Sequence, residues 1–311
     1  MPIFRTHGGE LIPFTPVSPG PDLYESQIEQ LIWDDFEAFI GEALFAIARQ
    51  AHILGGGIPD ILALDADGHV VIIEVKRDVD RGQLAQCLEY AGWARTTSLD
   101  QLATLYNAGS DHQGAAAFFT DWQEFTDTTT PVTIASRPRL VLVARDFVGR
   151  TRAALDFLRD SSLPVTVIPV SIYEDGNGGR IIDVEHDHEV ASSVLASTGG
   201  GAAPQGTRYS VNGSNITVPD LISAGLIQPD EAVEFIRPLV GDQYTAKILS
   251  DGQFELDDGS VCRTPSRAAM QAAHVPSYDG WHAWRVIRLG GTKLHELRQQ
   301  YIASQTALPA E

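Results

Sequence analysis

Two short apolar runs separated by turn-forming residues constrain this chain more than any other feature. They are residues 58–64 and 70–75, and Asp65-Ala66-Asp67-Gly68 lies between them. Runs of that length around such a cluster predict a β-hairpin. Asp60, Glu74 and Lys76 stand at its open end, and loop length decides what they can do together. A three-residue loop, Ala66-Asp67-Gly68 with Gly68 left-handed in a bulge, pairs Asp65 with His69 and sets Asp60 opposite Glu74. Facing side chains have Cβ atoms about 5 Å apart, close enough to share one divalent cation. A four-residue loop instead sets Ile73 opposite Asp60 and turns Glu74 to the other face. Glu74 and Lys76 are two apart and share a strand face. Both faces of residues 70–75 are apolar, which predicts a central, covered strand. The plain alternative is that the charges are the ends of an ordinary strand.

Helices flank the hairpin. Asp22-Leu23-Tyr24-Glu25 reads as a capping box, and Ile28, Leu31, Ile32, Phe36 and Phe39 follow at helical spacing. Glu25 falls nearer the middle of that inward stripe than Glu29, so it either caps the helix or reaches the hairpin. A second helix over residues 82–94 carries Gln86 and Tyr90, four apart and stacked on one face. Trp93 beside them argues against a wholly solvated face.

Taken in order, Glu25, Asp60, Glu74-Val75-Lys76 and Gln86-Cys87-Leu88-Glu89-Tyr90 resemble the pattern of the PD-(D/E)XK nuclease superfamily, in its RecB-like and NucS-like branch. The resemblance runs to about residue 185, with residues 140–184 similar to the family's trailing strand–helix–strand segment. Residues 99–131 have no counterpart and read as an insertion of unassigned structure. The resemblance implies an α/β fold, a restriction-endonuclease-like mixed sheet flanked by helices. It implies Mg²⁺ or Mn²⁺ on Asp60, Glu74 and the Val75 carbonyl, hard oxygens of the kind Mg²⁺ prefers. Glu25 would hold a second ion or fix a hydrated one. Lys76 would orient water and neutralise the scissile phosphate, and Gln86 and Tyr90 would position the phosphate backbone.

The length of 311 residues suggests two domains. A hydrophobic share of 43% supports well-formed cores. No apolar stretch is long enough for a membrane span, and Met1-Pro2-Ile3-Phe4-Arg5 does not resemble a secretion signal. Cys87 and Cys262 are the only cysteines, so no disulfide framework is expected and a cytoplasmic setting fits. Glu185-His186-Asp187-His188-Glu189 offers two histidines as metal ligands, but an acidic loop after a strand is the commoner origin of such a run.

The net charge of −19 opposes indiscriminate DNA binding. Between residues 263 and 298, however, six Lys or Arg face two acids, which makes this part the candidate for nucleic-acid contact. A Gly/Ser/Ala-rich tract around residues 192–206 divides the chain into residues 1–190, a flexible linker at 191–208 and a second domain at 209–311. Loose tethering would raise the local concentration of one domain near DNA held by the other. After the linker, Thr217 caps a short helix, residues 230–235 suggest a helical turn, and residues 244–249, 254–256 and 261–262 read as strands. Thr264-Pro265-Ser266 starts a helix, and residues 281–287 read as a closing strand. The unit is a small α+β module.

Five stretches of this module are similar to the RAMA domain of restriction and methylase systems. They are Leu221-Ile222-Ser223-Ala224-Gly225-Leu226-Ile227, Tyr244-Thr245-Ala246-Lys247, Leu256-Asp257-Asp258-Gly259, Thr264-Pro265-Ser266 and Gly280-Trp281-His282-Ala283-Trp284. That similarity implies the reading of modified DNA bases. In that role Tyr278, Trp281 and Trp284 would stack on a displaced base, with Arg263, Arg267, Arg285 and Arg288 on phosphates. The alternative for the tryptophans is the core of so small a domain; one in the core and one at the surface is the expectation. Together the two halves suggest a metal-dependent DNA endonuclease of modification-dependent restriction or phage defence. The other readings are a NucS-like repair nuclease on mismatched, branched or single-stranded DNA, and a non-catalytic protein binding modified DNA. Double-strand cutting with one site per chain points to a homodimer or to two independent nicks.

Overall fold

The computed structural model describes residues 3–7, 9–17, 21–53, 55, 57–77, 81–109, 115–128, 133–145, 150–160, 164–175, 178–185, 209–211 and 214–306. The whole linker, residues 191–208, and residues 186–189 of the acidic loop lie outside them. The first unit is a mixed eight-stranded sheet. Its order is β1 (Ile3–His7), β2 (Glu10–Pro16), β7 (Val165–Glu174), β6 (Arg139–Ala144), β5 (Val70–Lys76), β4 (Ile61–Leu64) and β3 (Phe45–Arg49), with β8 (Arg180–Val184) also paired to β7. The β5–β6 and β6–β7 pairs are parallel and the rest antiparallel.

Strand alternation sorts the hairpin into two cores. Ile61, Ala63, Val71, Ile73 and Val75 pack with Tyr24, Ile28, Ile32, Phe36 and Phe39 of α1 (Pro21–Asp34) and α2 (Phe36–Ile40). Leu62, Leu64, Val70 and Ile72 pack on the opposite face, with Cys87 and Tyr90 of α3 (Arg81–Ala94). That face also carries α4 (Leu99–Gly109), α5 (Ala115–Thr126) and α6 (Arg150–Asp160). The segment expected to be an unassigned insertion thus includes two core helices. They bring Tyr106, Phe118, Trp122 and Phe125 around Phe45 of β3, with ring centroids 5.2–5.7 Å apart. These are the offset and edge-on distances that aromatic rings favour. Composition hid them because the Ala, Thr and Asp that dominate the segment mask an aromatic stripe at helical spacing.

The second unit is a six-stranded antiparallel sheet, ordered β14 (Val261–Cys262), β13 (Phe254–Leu256), β12 (Asp242–Ile248), β11 (Glu231–Arg237), β15 (Trp284–Val286) and β16 (Thr292–Lys293). A two-stranded hairpin of β9 (Ser210–Val211) and β10 (Ser214–Asn215) precedes it. Among the described residues four α-helices complete the unit: α7 (Val218–Ser223), α8 (Pro265–Ala273), α9 (Gly280–Ala283) and α10 (Leu294–Thr306). Of residues 230–235, Asp230 is a turn residue and 231–235 belong to a strand, not a helical turn: Val233 and Phe235 point inward and Ala232 and Ile236 outward, a period of two. Residues 281–287 split between a helical turn and a short strand, because the Asp279 side chain accepts the Trp281 N–H and starts a helix there.

Polar contacts dock the two units. The Thr264 hydroxyl donates to Asp35, Arg267 to the Asp34 carbonyl and the Ala46 N–H to Ser277 Oγ at 2.7 Å, which covers part of the edge strand β3. Glu37 accepts from the Ser266 N–H and the Trp281 indole, and burial pushes its pKa up to about 7. The Arg237 guanidinium meets Glu124 of α5 at 2.7 Å, with both side chains buried. Breaking a buried pair leaves one charge uncompensated, at about 3–5 kcal/mol. Arg237→Ala is therefore expected to lower unfolding stability in urea by that order. The double variant Arg237→Ala/Glu124→Ala should lose less than the two single losses combined. A single-variant loss under about 1 kcal/mol would show that the pair does not hold the units together.

Candidate active site

The hairpin turn sets the site. The Asp65 N–H donates to the His69 carbonyl, the Gly68 N–H to the Asp65 carbonyl, and Gly68 has φ +84°. The pairs Leu64/Val70 and Ile61/Ile73 follow. Continuing that register by one pair places Asp60 opposite Glu74, as the three-residue loop requires. One pair further, Pro59 faces Val75 and offers no N–H to the Val75 carbonyl, which accepts from Lys76 Nζ. The Asp60 carboxylate accepts the Val75 N–H, Oδ2 to N at 2.8 Å.

Asp60, Glu74 and Lys76 share the sheet face of Leu62 and Ile72, toward α3. Lys76 Nζ lies 3.5 Å from Asp60 Oδ2, 3.7 Å from Glu74 Oε2 and 3.5 Å from Glu25 Oε2. It also donates to the Val75 carbonyl at 3.1 Å. Burial works against the Lys76 ammonium, but these three carboxylates outweigh it and raise its pKa. Glu25, on α1, accepts the Arg77 N–H at 3.1 Å just past the end of β5. Its carboxylate therefore closes the site from the α1 side. The side chain of Asp22, the other half of the expected capping box, lies outside the described residues.

Glu74 is the unusual member. It is 1% exposed, and neither carboxylate oxygen has a hydrogen-bond partner among the described residues. Burial, then the nearby Asp60 carboxylate, raises its pKa to about 8. An ionised carboxylate so placed costs free energy unless something positive satisfies it. Among the described residues no group of three or more His, Cys, Asp or Glu side chains forms a ready metal cage. The site instead offers two facing carboxylates and one carbonyl, a donor set suited to a hard cation that keeps several waters.

On α3, Gln86 Nε2 donates to the Tyr90 hydroxyl at 2.6 Å. Tyr90 is buried against Gly57, where φ is +89° and an added Cβ would lie 3.3 Å from the ring. Tyr90 therefore braces the approach to Asp60 and orients Gln86, whose side chain is only half-buried.

Two contributors carried no clear sequence signal. Glu29 is more deeply buried than Glu25, the reverse of the helical-wheel expectation, because Arg49 and Gln50 at the end of β3 reach over it. Gln50 also donates to Asp60 Oδ1 at 2.9 Å. A polar pair following the apolar residues of β3 was the only available hint.

The expected reader residues of the second unit are placed differently. Trp284 is fully buried, packs on Phe235 and Phe254, and donates its indole N–H to the Pro265 carbonyl. Trp281 is buried between the units, and its ring lies 4.0 Å from the Arg298 guanidinium. Tyr278 is buried against Phe235. None of the three is open for stacking on a base, and the expectation of one surface Trp is overturned: so small a core draws on all its large rings. Arg267 is held by the first unit, and Arg288 forms a bidentate pair with Glu231. Arg263 is exposed, and Arg285 is half-buried with an Nε that lacks a partner among the described residues.

Comparison with known proteins bears first on this second unit. Residues 198–307 match the family model described as Restriction Enzyme Adenine Methylase Associated, or RAMA. The C-terminal unit is a RAMA domain. No curated protein matches the chain. Among solved structures, one described as an EndoMS–dsDNA2 complex is 19% identical with TM-score 0.29, over 47% of this chain and 44% of that one. A repair endonuclease from Pyrococcus abyssi is 20% identical with TM-score 0.27, over 49% and 47%. The chain thus matches less than half the length of either.

The raised pKa of Glu74 gives a signed expectation. Without a cation, its ionisation costs more in the folded than in the unfolded chain. Stability is therefore lost as pH rises from the ordinary glutamate range, about 4.3, toward 8. Glu74→Gln cannot ionise. In EDTA its Tm should exceed that of the parent chain at pH 9 by a clearly larger margin than at pH 5. Equal margins at the two pH values would contradict this account of the buried carboxylate.

Proposed function

We propose that this chain is a divalent-cation-dependent DNA endonuclease whose RAMA domain selects the DNA to be cut. One observation carries the reading: Glu74, buried without a hydrogen-bond partner among the described residues, stands beside Asp60 and Lys76 near the end of a covered strand. Such a carboxylate suits a cation better than it suits the fold. Asp60, Glu74 and the Val75 carbonyl would hold Mg²⁺ or Mn²⁺. When bound, the ion supplies charge to offset that growing on phosphoryl oxygens and makes water more acidic.

The remaining work falls to side chains of the site. Lys76, charged and held among three carboxylates, meets a phosphate oxygen that enters between them. It also orients water toward phosphorus. Glu25 keeps the end of β5 in place through the Arg77 N–H. Gln86, pinned by Tyr90, offers its exposed portion to the sugar–phosphate backbone. Asp60 links ligand geometry to the sheet, because the oxygen that faces Lys76 also accepts the Val75 N–H.

The association of the RAMA family with restriction enzymes and adenine methylases favours DNA as substrate, and restriction of modified DNA as the role. Arg263, exposed, and Arg285, half-buried, would contribute phosphate contacts from that domain. The test uses matched plasmids, with and without modified bases, incubated with Mg²⁺ or Mn²⁺. The parent chain is expected to cut the modified plasmid. Lys76→Ala should lower cutting at least about a hundredfold, with the circular dichroism spectrum little changed. Undiminished cutting by that variant would refute the assignment, and cutting confined to forked or mismatched oligonucleotides would move the role to repair.

A further inference from the structure

We propose that Gln50 is a positioning residue for Asp60, its side-chain amide aiming that carboxylate at the cation position. The inference rests on the cation reading above and extends it to a residue outside the recognised pattern.

Gln50 follows β3 and has φ +47°, a left-handed backbone that disfavours residues other than glycine by about 1–2 kcal/mol. Such conformations persist where surrounding contacts hold them and cluster at functional sites. The contacts here are specific. The Gln50 backbone N–H donates to the Asp60 carbonyl at 3.0 Å. Side-chain Nε2 donates to Glu29 Oε2 at 2.8 Å and to Asp60 Oδ1 at 2.9 Å. An amide NH₂ has two protons, and carboxylates from two different elements take both. The flipped amide would turn its oxygen on two carboxylates, so the network admits only one orientation.

Glu29 in turn is fixed. It is buried, and Oε1 accepts from Arg49 Nε and pairs with Arg49 Nη2, both at 2.9 Å. Asp60 Oδ2 is already bonded to the Val75 N–H. Each Asp60 oxygen therefore takes a hydrogen bond from a different side, and rotation of the carboxylate is blocked. Each oxygen still keeps a lone pair for a cation. Outer partners of this kind affect metal affinity by about tenfold to a hundredfold.

A purely structural role for Gln50, closing the end of β3, is separable by substitution. Gln50→Gly suits the left-handed backbone and deletes the amide, whereas Gln50→Ala deletes the amide and keeps the backbone cost. The full chain is titrated with Mn²⁺ by electron paramagnetic resonance, its Tm is read in EDTA, and kcat and KM are measured on DNA. Both variants are expected to bind Mn²⁺ about tenfold or more weakly and to lower kcat at saturating DNA with KM little changed. Gln50→Gly should unfold no earlier than the parent chain. Parent-like Mn²⁺ affinity and kcat in Gln50→Gly would overturn the positioning role and leave the nuclease reading standing. A parent chain that takes up no Mn²⁺ would overturn both.

Discussion

The pairing register of one hairpin governs the site. Gly68 adopts a backbone that other residues resist, the turn closes in three residues, and every pair below it follows. The Asp65 carboxylate reinforces the turn by accepting the Asp67 and His69 N–H groups, and Arg139 at the start of β6 ties it to Glu42. A slip of one residue would turn Glu74 into the apolar layer formed with α1 and α2 and turn Ile73 toward α3. Two cores that each fill one face of the sheet make that exchange prohibitive, because it would bury a charge in each wrong place and expose apolar area. Catalytic geometry and hydrophobic packing are thus specified by the same parity.

At the site the fold tolerates local costs. Among the described residues Glu74 lies buried without a hydrogen-bond partner, Gln50 holds a left-handed backbone, and the Asp60 side chain accepts the Val75 N–H. Gln50 and Asp60 lie just beyond strand ends, and Glu74 lies just past the last β4–β5 pair, where side chains can serve a ligand. Packing behind them is dense, from the aromatic cluster around Phe45 to Tyr90 seated on Gly57. Rigid support of this kind keeps a few poorly satisfied groups in place.

The RAMA domain is held by polar contacts along α2, β3 and α5 rather than by an extended apolar seam. Much of its positive charge is used internally or at this junction. Arg237 and Lys293 pair with Glu124 and Asp127 of the first unit, Arg288 pairs with Glu231, and Arg298 stacks on Trp281 and Tyr209. A count of basic residues therefore overstates the charge this face presents to DNA, and in a chain of net charge −19 the phosphate must be met locally.

Local order in the chain was enough for the hairpin, its turn, the Asp60–Glu74–Lys76 grouping and the α3 pair Gln86–Tyr90. Each depends on spacings of two, three or four residues, which strand and helix geometry convert directly into shared faces. The second unit's alternating strands and its helix after Thr264 were legible for the same reason. Tertiary packing decided the rest. It alone made two core helices of the segment after residue 99, buried Trp281 and Trp284 together, and brought Glu29 and Gln50 to Asp60 from α1 and the end of β3. Those contacts join residues far apart in the chain or on different elements, and no local periodicity encodes which distant side chain fills a given space.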